Sequence, residues 1–344
     1  MPCLRWAVDP ALSFKLVLTP IVAYVIWELL TQHLGSARPN PFGILFLISH
    51  KIPTSGPADP RYAKGWCDLL FIAYYVVVFS CFRQLVTVEL GTRVAKLFGI
   101  RRRAKIARFG EQAYALVYFS LSGAYGYRIM SQLPTWWYKT EYFWIDYPHW
   151  DMKPGLKRYY LMQTAYWIQQ VLVLMLGLER PRTDYHELVA HHIVTIWLIG
   201  GSYVTNQTRI GNAVFLSMDV PEVFFAFSKL LNYLQMDRAK VVSLAIFTYV
   251  WTYFRHYLNL VILWSVWTEV DRVPAHARRW APAEGTYMVW WMKPVMFVPL
   301  AVLQLLNVFW YHLILRILIR AIATAQADDV RSDDEDEDGG EGEL

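Results

Sequence analysis

Eight stretches of this 344-residue chain are apolar for long enough to cross a lipid bilayer. A hydrocarbon core of about 30 Å takes about 20 mostly apolar helical residues, because each backbone group there must bond within its own segment. The stretches run roughly over 11–34, 66–90, 111–130, 158–179, 185–205, 210–233, 240–267 and 287–320. The last could hold one tilted helix with an extension or a broken one, and seven spans is the alternative count. Composition agrees: 56% of residues are apolar and 18% charged, where a soluble domain averages about 45–50% and about 25%. The 16 Trp and 22 Tyr suit helices that end in interfacial aromatic belts. Trp136, Trp137, Trp144 and Trp150, which flank the third and fourth spans, are expected in such a belt. The expected fold is therefore an all-α integral membrane protein of about eight transmembrane helices. Residues 11–34 follow neither a basic leader nor a small-residue cleavage site and read as a retained span. Cys3, Cys67 and Cys81 show no CxxC or metal-ligand spacing, so no disulfide framework is expected.

Charge is unevenly spread. From Asp328 to Leu344 ten acids face one base, Arg331, although the whole chain carries a formal +5. The basic excess belongs to the membrane-embedded body, where it sets topology, and a nucleic-acid partner is not expected. The segment Gly91–Gly110 holds seven bases (Arg93, Lys96, Arg101, Arg102, Arg103, Lys105, Arg108) and no acid. The positive-inside rule places it in the cytosol. Counting spans from there puts both termini in the cytosol, with the turns near Arg180-Pro181-Arg182 and Met236–Lys240. The same segment reads as an amphipathic helix for anionic headgroups. The tail beyond 322 is too charged to fold. Ser332 with Glu335 three residues on fits an acidic-directed kinase of the casein kinase 2 type; the alternative is a solvating tail with no switch.

The chemistry is expected in the fifth and sixth spans. The fifth carries Asp184, Glu187, His191, His192 and Thr195, the sixth Arg209, Asp219, Pro221 and Glu222. Ionisable groups inside a span cost several kcal/mol and ordinarily face a protein interior or a wet cavity. Asp184, Glu187 and His191 share one helix face, and Asp219 and Glu222 share another. At a rise of about 1.5 Å per residue, His191 lies about 10 Å from the cytosolic side. If the sixth span enters from the lumen near Arg209, Glu222 falls at a similar depth and Asp219 near the midplane. Imidazoles and carboxylates at matching depth make a buried general base with an orienting acid. Two other readings compete: a structural polar network between helices, and a metal site built on the loose HxxxxHH of His186, His191 and His192. Metal boxes of that kind need several copies, and the remaining histidines are too scattered to supply them. A transporter would show inverted repeats with paired broken helices, and none is present.

At these residues the chain resembles a known family. Asp184-Tyr-His-Glu-Leu-Val-Ala-His-His-Ile-Val-Thr195, Ser202-Tyr-Val-Thr-Asn206, Thr208-Arg-Ile-Gly211, Met218-Asp-Val-Pro-Glu222 and Ser228-Lys-Leu-Leu-Asn-Tyr233 are similar to the Lag motif of ceramide synthases. Tyr147-Pro148, Lys157–Gln163 and Tyr166-Trp167 resemble that family as well. Met218-Asp219 and the acidic tail resemble its fungal branch, which often has Met where animal members have His. The resemblance implies a TLC domain over 111–322, its six helices bundled around an intramembrane active site. A two-helix region over 1–110 precedes it and a disordered acidic tail over 323–344 follows.

Such enzymes join a fatty acyl-CoA to a sphingoid long-chain base in the endoplasmic reticulum, giving ceramide and free CoA. Carried over by matching position, His191 and His192 are the catalytic pair, with Asp219 and Glu222 as the acids. One histidine takes a proton from the ammonium or accepts the acyl group as an acyl-imidazole; the other, with an acid, orients it and protonates the leaving thiolate. Asp184, Glu187, Thr195, Tyr203, Asn206 and Arg255 are expected to bind substrate, Arg255 by meeting a CoA phosphate or pairing with an acid. No metal or redox cofactor is required, acyl-CoA being a co-substrate. The family's second acid is usually Asp, whereas Glu222 here follows Pro221, which removes a backbone bond to Ser217 and is expected to kink the helix.

The fungal branch implies very-long-chain acyl-CoA, dihydrosphingosine or phytosphingosine, and in some members a small single-span subunit and dimers. The loop Thr268–Gly285 is expected to influence chain length. The Asn206-Gln207-Thr208 sequon lies against the membrane and is expected to stay unmodified. The competing class is a non-enzymatic TLC-domain protein of lipid sensing or trafficking, which generally lacks the His pair with its acidic motif.

Overall fold

The computed structural model describes residues 2–35, 38–179 and 183–324. Ser332 with the acidic tail, and the Arg180-Pro181-Arg182 turn, lie outside the described residues. Among the described residues are eight long helices, each overlapping an expected span: α1 (Pro10–His33), α2 (Cys67–Leu97), α3 (Arg103–Met130), α4 (Pro154–Met175), α5 (Tyr185–Val204), α6 (Thr208–Tyr233), α7 (237–268) and α8 (Met292–Thr324). A two-residue antiparallel hairpin, β1 (Trp280–Ala281) and β2 (Thr286–Tyr287), turns through Gly285 between α7 and α8. Three of the helices, α1, α2 and α8, are long and apolar enough to cross a membrane on length and composition alone. Helix α8 is one continuous helix through Pro299. At about 1.5 Å per residue its 33 residues outreach a core of about 30 Å.

The basic segment does not form a single amphipathic helix. Its first part, Gly91–Leu97, continues α2, and its last bases open α3 at Arg103. The break is local: Gly99 takes φ +82°, with Gly99 N–H donating to the Lys96 carbonyl and Ile100 N–H to the Ala95 carbonyl. This is the left-handed stop that glycine adopts without a Cβ penalty. Nothing lies within 4 Å of a Cβ placed there, so conformation rather than crowding selects the glycine.

Two compact units result. The first joins Met1–Val88 to His149–Leu178. In it α2 packs against both α1 and α4. The Lys157 ammonium, fully buried, donates to the Ser49 carbonyl (2.9 Å) and the Ala63 carbonyl (2.6 Å) and pairs with the Asp68 carboxylate, Nζ to Oδ1 2.7 Å. Asp68 Oδ2 accepts from Gly65 N–H at 2.9 Å. Tyr62 and Met152 exchange paired backbone bonds beside this clamp. The segment from Ser49 to Gly65 is thereby tied to the first turn of α4.

The second unit joins Glu89–Pro148 to Glu179–Leu344. Helix α6 packs between α3 and α7, and α8 packs against α5 and α7. The connection from α3 folds back over the start of α6: Tyr138 Oη donates to the Ala213 carbonyl, Tyr147 Oη to the Thr205 carbonyl, and Arg209 to the Tyr142 carbonyl. Burial pushes both phenols well above their ordinary value, so they stay protonated and keep donating. Trp144 is not a belt residue. It is fully buried, and its indole N–H donates to Ser265 Oγ at 2.8 Å. Trp137 and Trp150 remain exposed.

Candidate active site

Helix α5 turns Asp184, His191, His192 and Thr195 inward, all less than a tenth exposed. His192 Nδ1 lies 2.7 Å from the Leu188 carbonyl one turn back. A carbonyl only accepts, so Nδ1 carries the proton and the neutral ring presents its basic lone pair at Nε2. The two imidazoles stand edge to face, 5.7 Å between centroids. Thr195 Oγ1 is 3.5 Å from His191 Nε2. Against the other side of His191 lies Trp310 of α8, edge-on at 5.5 Å, and its Nε1–H donates to Asp184 Oδ2 at 2.9 Å.

A second group forms around Arg255. Helix α7 widens into π turns over Thr252–Leu258, a distortion frequent at functional sites. There the Arg255 guanidinium donates to Glu222 Oε1 (2.5 Å), the Met218 carbonyl (3.0 Å) and Asn307 Oδ1 (3.3 Å), and lies 4.2 Å over the Trp251 ring. Of the two roles open to Arg255, the structure shows the pairing with an acid. Asn307 and Trp310 are one turn apart on α8, so the histidine group and the arginine group converge on one helix face. Gln304, a turn earlier, bonds His256 Nδ1 and Asn259.

Pro221 does not end α6, which runs unbroken from Thr208 to Tyr233. Asp219 is buried and its Oδ2 accepts from Ser122 Oγ of α3 at 2.6 Å. Gly123, beside that serine, faces Val220 of α6, 3.7 Å from the place of a Cβ, an ordinary packing distance. Glu187 is half-buried one turn from Asp184, and Tyr203 is half-buried near the far end of α5. From His191 to Tyr203 the helix rises about 18 Å. Asn206 also sits at that end and serves the backbone. It ends α5 at φ 63°, and its Nδ2 donates to the Gly285 carbonyl at 2.8 Å. His186 faces outward, away from the His pair. Among the described residues no three His, Cys, Asp or Glu are grouped to hold a metal ion.

Ser122, Trp251, Asn307 and Trp310 were not singled out from the sequence. Only Gln304 and Asn307 left a trace, as amides inside an otherwise apolar stretch. The Arg255–Glu222 pair carries an asymmetric prediction. Glu222→Gln strands a guanidinium that cannot lose its charge, at a cost of about 3–5 kcal/mol. Arg255→Met leaves a carboxylate able to take up a proton, and should cost less. The double substitution should recover part of the loss of Glu222→Gln, as read by thermal unfolding in detergent.

Comparison with known proteins places the chain in a family. The profile of the TLC domain matches residues 108–316. The sphingosine N-acyltransferase lac1 of Schizosaccharomyces pombe is 42% identical over 313 residues, covering 90% of this chain and 80% of that protein. The ceramide synthase LAG1 of Saccharomyces cerevisiae is 37% identical over 304 residues, covering 88% and 72%. Ceramide synthase 4 of Bos taurus is 33% identical over 239 residues, covering 69% and 57%. With the domain matched over more than half its length and fungal relatives aligned over nearly all of it, the chain belongs to the ceramide synthase family of TLC-domain proteins, in its fungal branch.

Proposed function

We propose that this chain transfers a fatty acyl group from acyl-CoA to the amine of a sphingoid long-chain base. The observation that supports it is the buried His191-His192 pair, with the His192 tautomer set by the Leu188 carbonyl. A sphingoid base arrives as an ammonium, and its nitrogen has no lone pair for attack until a proton leaves. His192 Nε2 takes that proton. The amine then adds to the thioester carbonyl, the C–N bond forms and the C–S bond breaks. The proton shed by the new amide nitrogen goes to the departing sulfur through His191, and His192 later releases its own to solvent. A thioester exchanged for an amide runs downhill, so general acid–base help at the nitrogen is the main requirement. Acyl-CoA enters as a co-substrate, and the residues named are sufficient without a metal or redox cofactor.

In this reading the Arg255–Glu222 pair is a charged floor beside the reacting groups, and Asp219 is the acid held by Ser122. The protein works in the endoplasmic reticulum membrane on a very-long-chain acyl-CoA and a dihydrosphingosine or phytosphingosine, with eight spans and both termini cytosolic. A small single-span subunit and a dimer partner belong to the same proposal. The test is expression in membranes that lack endogenous ceramide synthase, supplied with a ladder of acyl-CoA lengths and each base. N-acylated base with stoichiometric free CoA is expected, greatest for the longest chains. Membrane-inserted, folded protein that yields none overturns the enzymatic reading and leaves a lipid-sensing role.

A further inference from the structure

The carboxylate of Asp184 bonds an indole rather than its own helix. It stands at the N-cap of α5, where an aspartate side chain ordinarily accepts from the next turn's N–H groups, worth about 0.5–2 kcal/mol. No such bond forms here, and Oδ2 accepts from Trp310 Nε1 instead. Seven residues further along the same face, the ring of His191 meets the same indole at 77°. Trp310 is itself buried, packed with Phe247, Trp251 and Ile314. The indole is a rigid plate bonded on its pyrrole edge by Asp184 and set against the imidazole of His191. A group that transfers a proton must keep its plane within about 10–20° of the productive direction.

We propose that Asp184 and Trp310 are positioning residues for His191, the carboxylate fixing the indole and the indole fixing the imidazole plane. The inference rests on the acyl-transfer reading above and replaces the substrate contact expected for Asp184.

The test uses the full-length, membrane-inserted protein. Trp310→Phe keeps a ring and loses the N–H; Asp184→Ala loses the acceptor; Asp184→Asn keeps an acceptor oxygen. Trp310→Phe and Asp184→Ala should each lower kcat about tenfold, the value of one buried hydrogen bond, with KM for both substrates within about twofold. The double variant should be no slower than the slower single, and Asp184→Asn should rescue kcat to within about threefold of the parent. A raised KM at unchanged kcat in Asp184→Ala, multiplying single effects, or Asp184→Asn falling as far as Asp184→Ala would each overturn the proposal. A second readout does not need turnover: carbethoxylation of His191 by diethyl pyrocarbonate, followed by peptide mass spectrometry. Its rate should change in Asp184→Ala and Trp310→Phe and return in Asp184→Asn; an unchanged rate in all three also overturns the proposal. If the parent chain acylates no base, the acyl-transfer reading fails while the carbethoxylation still decides the positioning. If Trp310→Phe aggregates, the contrast between Asp184→Ala and Asp184→Asn decides the proposal.

Discussion

His192→Ala should lower kcat by about 10²–10⁴-fold, the range a positioned general base contributes. His191→Ala should fall in the same range, since the two rings serve successive proton transfers on one substrate. The KM for acyl-CoA should stay within a few-fold, because neither ring is needed to hold the nucleotide. The double variant should be little worse than either single, as happens when residues act as a unit. Initial rates per mole of folded protein, in membranes free of endogenous activity, give the comparison. Full activity in either single variant would falsify the catalytic assignment while leaving the family membership intact. His192 offers a finer check. A ring that donates at Nδ1 and works at Nε2 has no equivalent in Gln, so His192→Gln should be as inactive as His192→Ala.

The second large effect concerns stability rather than turnover. Lys157→Met should destabilise the first unit by about 3–5 kcal/mol, the combined cost of forcing a proton onto the buried Asp68 and of leaving two buried carbonyls unsatisfied. The Ser49 and Ala63 carbonyls lose their donor in the same step. Lys157→Arg should also be costly, since a planar fork does not fit three acceptors arranged around a point charge. Pairing Lys157→Met with Asp68→Leu should recover part of the loss. Thermal unfolding in detergent reads the total. Hydrogen exchange over Ser49–Gly65 should rise in Lys157→Met and not in His192→Ala, which separates the clamp from the site.

Helix positions were legible in the sequence because apolar length is a local property and a bilayer imposes it on each segment separately. The same holds for the inward face of α5, where Asp184, His191 and Thr195 recur at helical spacing. Boundaries were less legible where a turn depends on backbone conformation, as at Gly99, or where π turns insert an extra residue, as around Arg255. Trp144 shows another gap. A tryptophan near a span end suits an interface and a core equally well, and only the serine offered by α7 decides between them.

The sequence by itself determined that the chain is helical and membrane-embedded, and that a histidine pair of ceramide-synthase type lies within one of its helices. It did so because periodicity, apolar length and a contiguous motif are written along one strand of chain. Which partner each polar group takes was decided only by tertiary structure. Glu222 meets Arg255 33 residues away, Asp219 meets Ser122 97 residues away, and Asp184 meets Trp310 126 residues away. Those pairings follow from which helix faces which, and helix packing depends on side-chain shape over the whole unit. The histidine pair and the Leu188 carbonyl that His192 meets are therefore local in origin, whereas the Trp310 ring against His191 comes from a helix more than a hundred residues downstream.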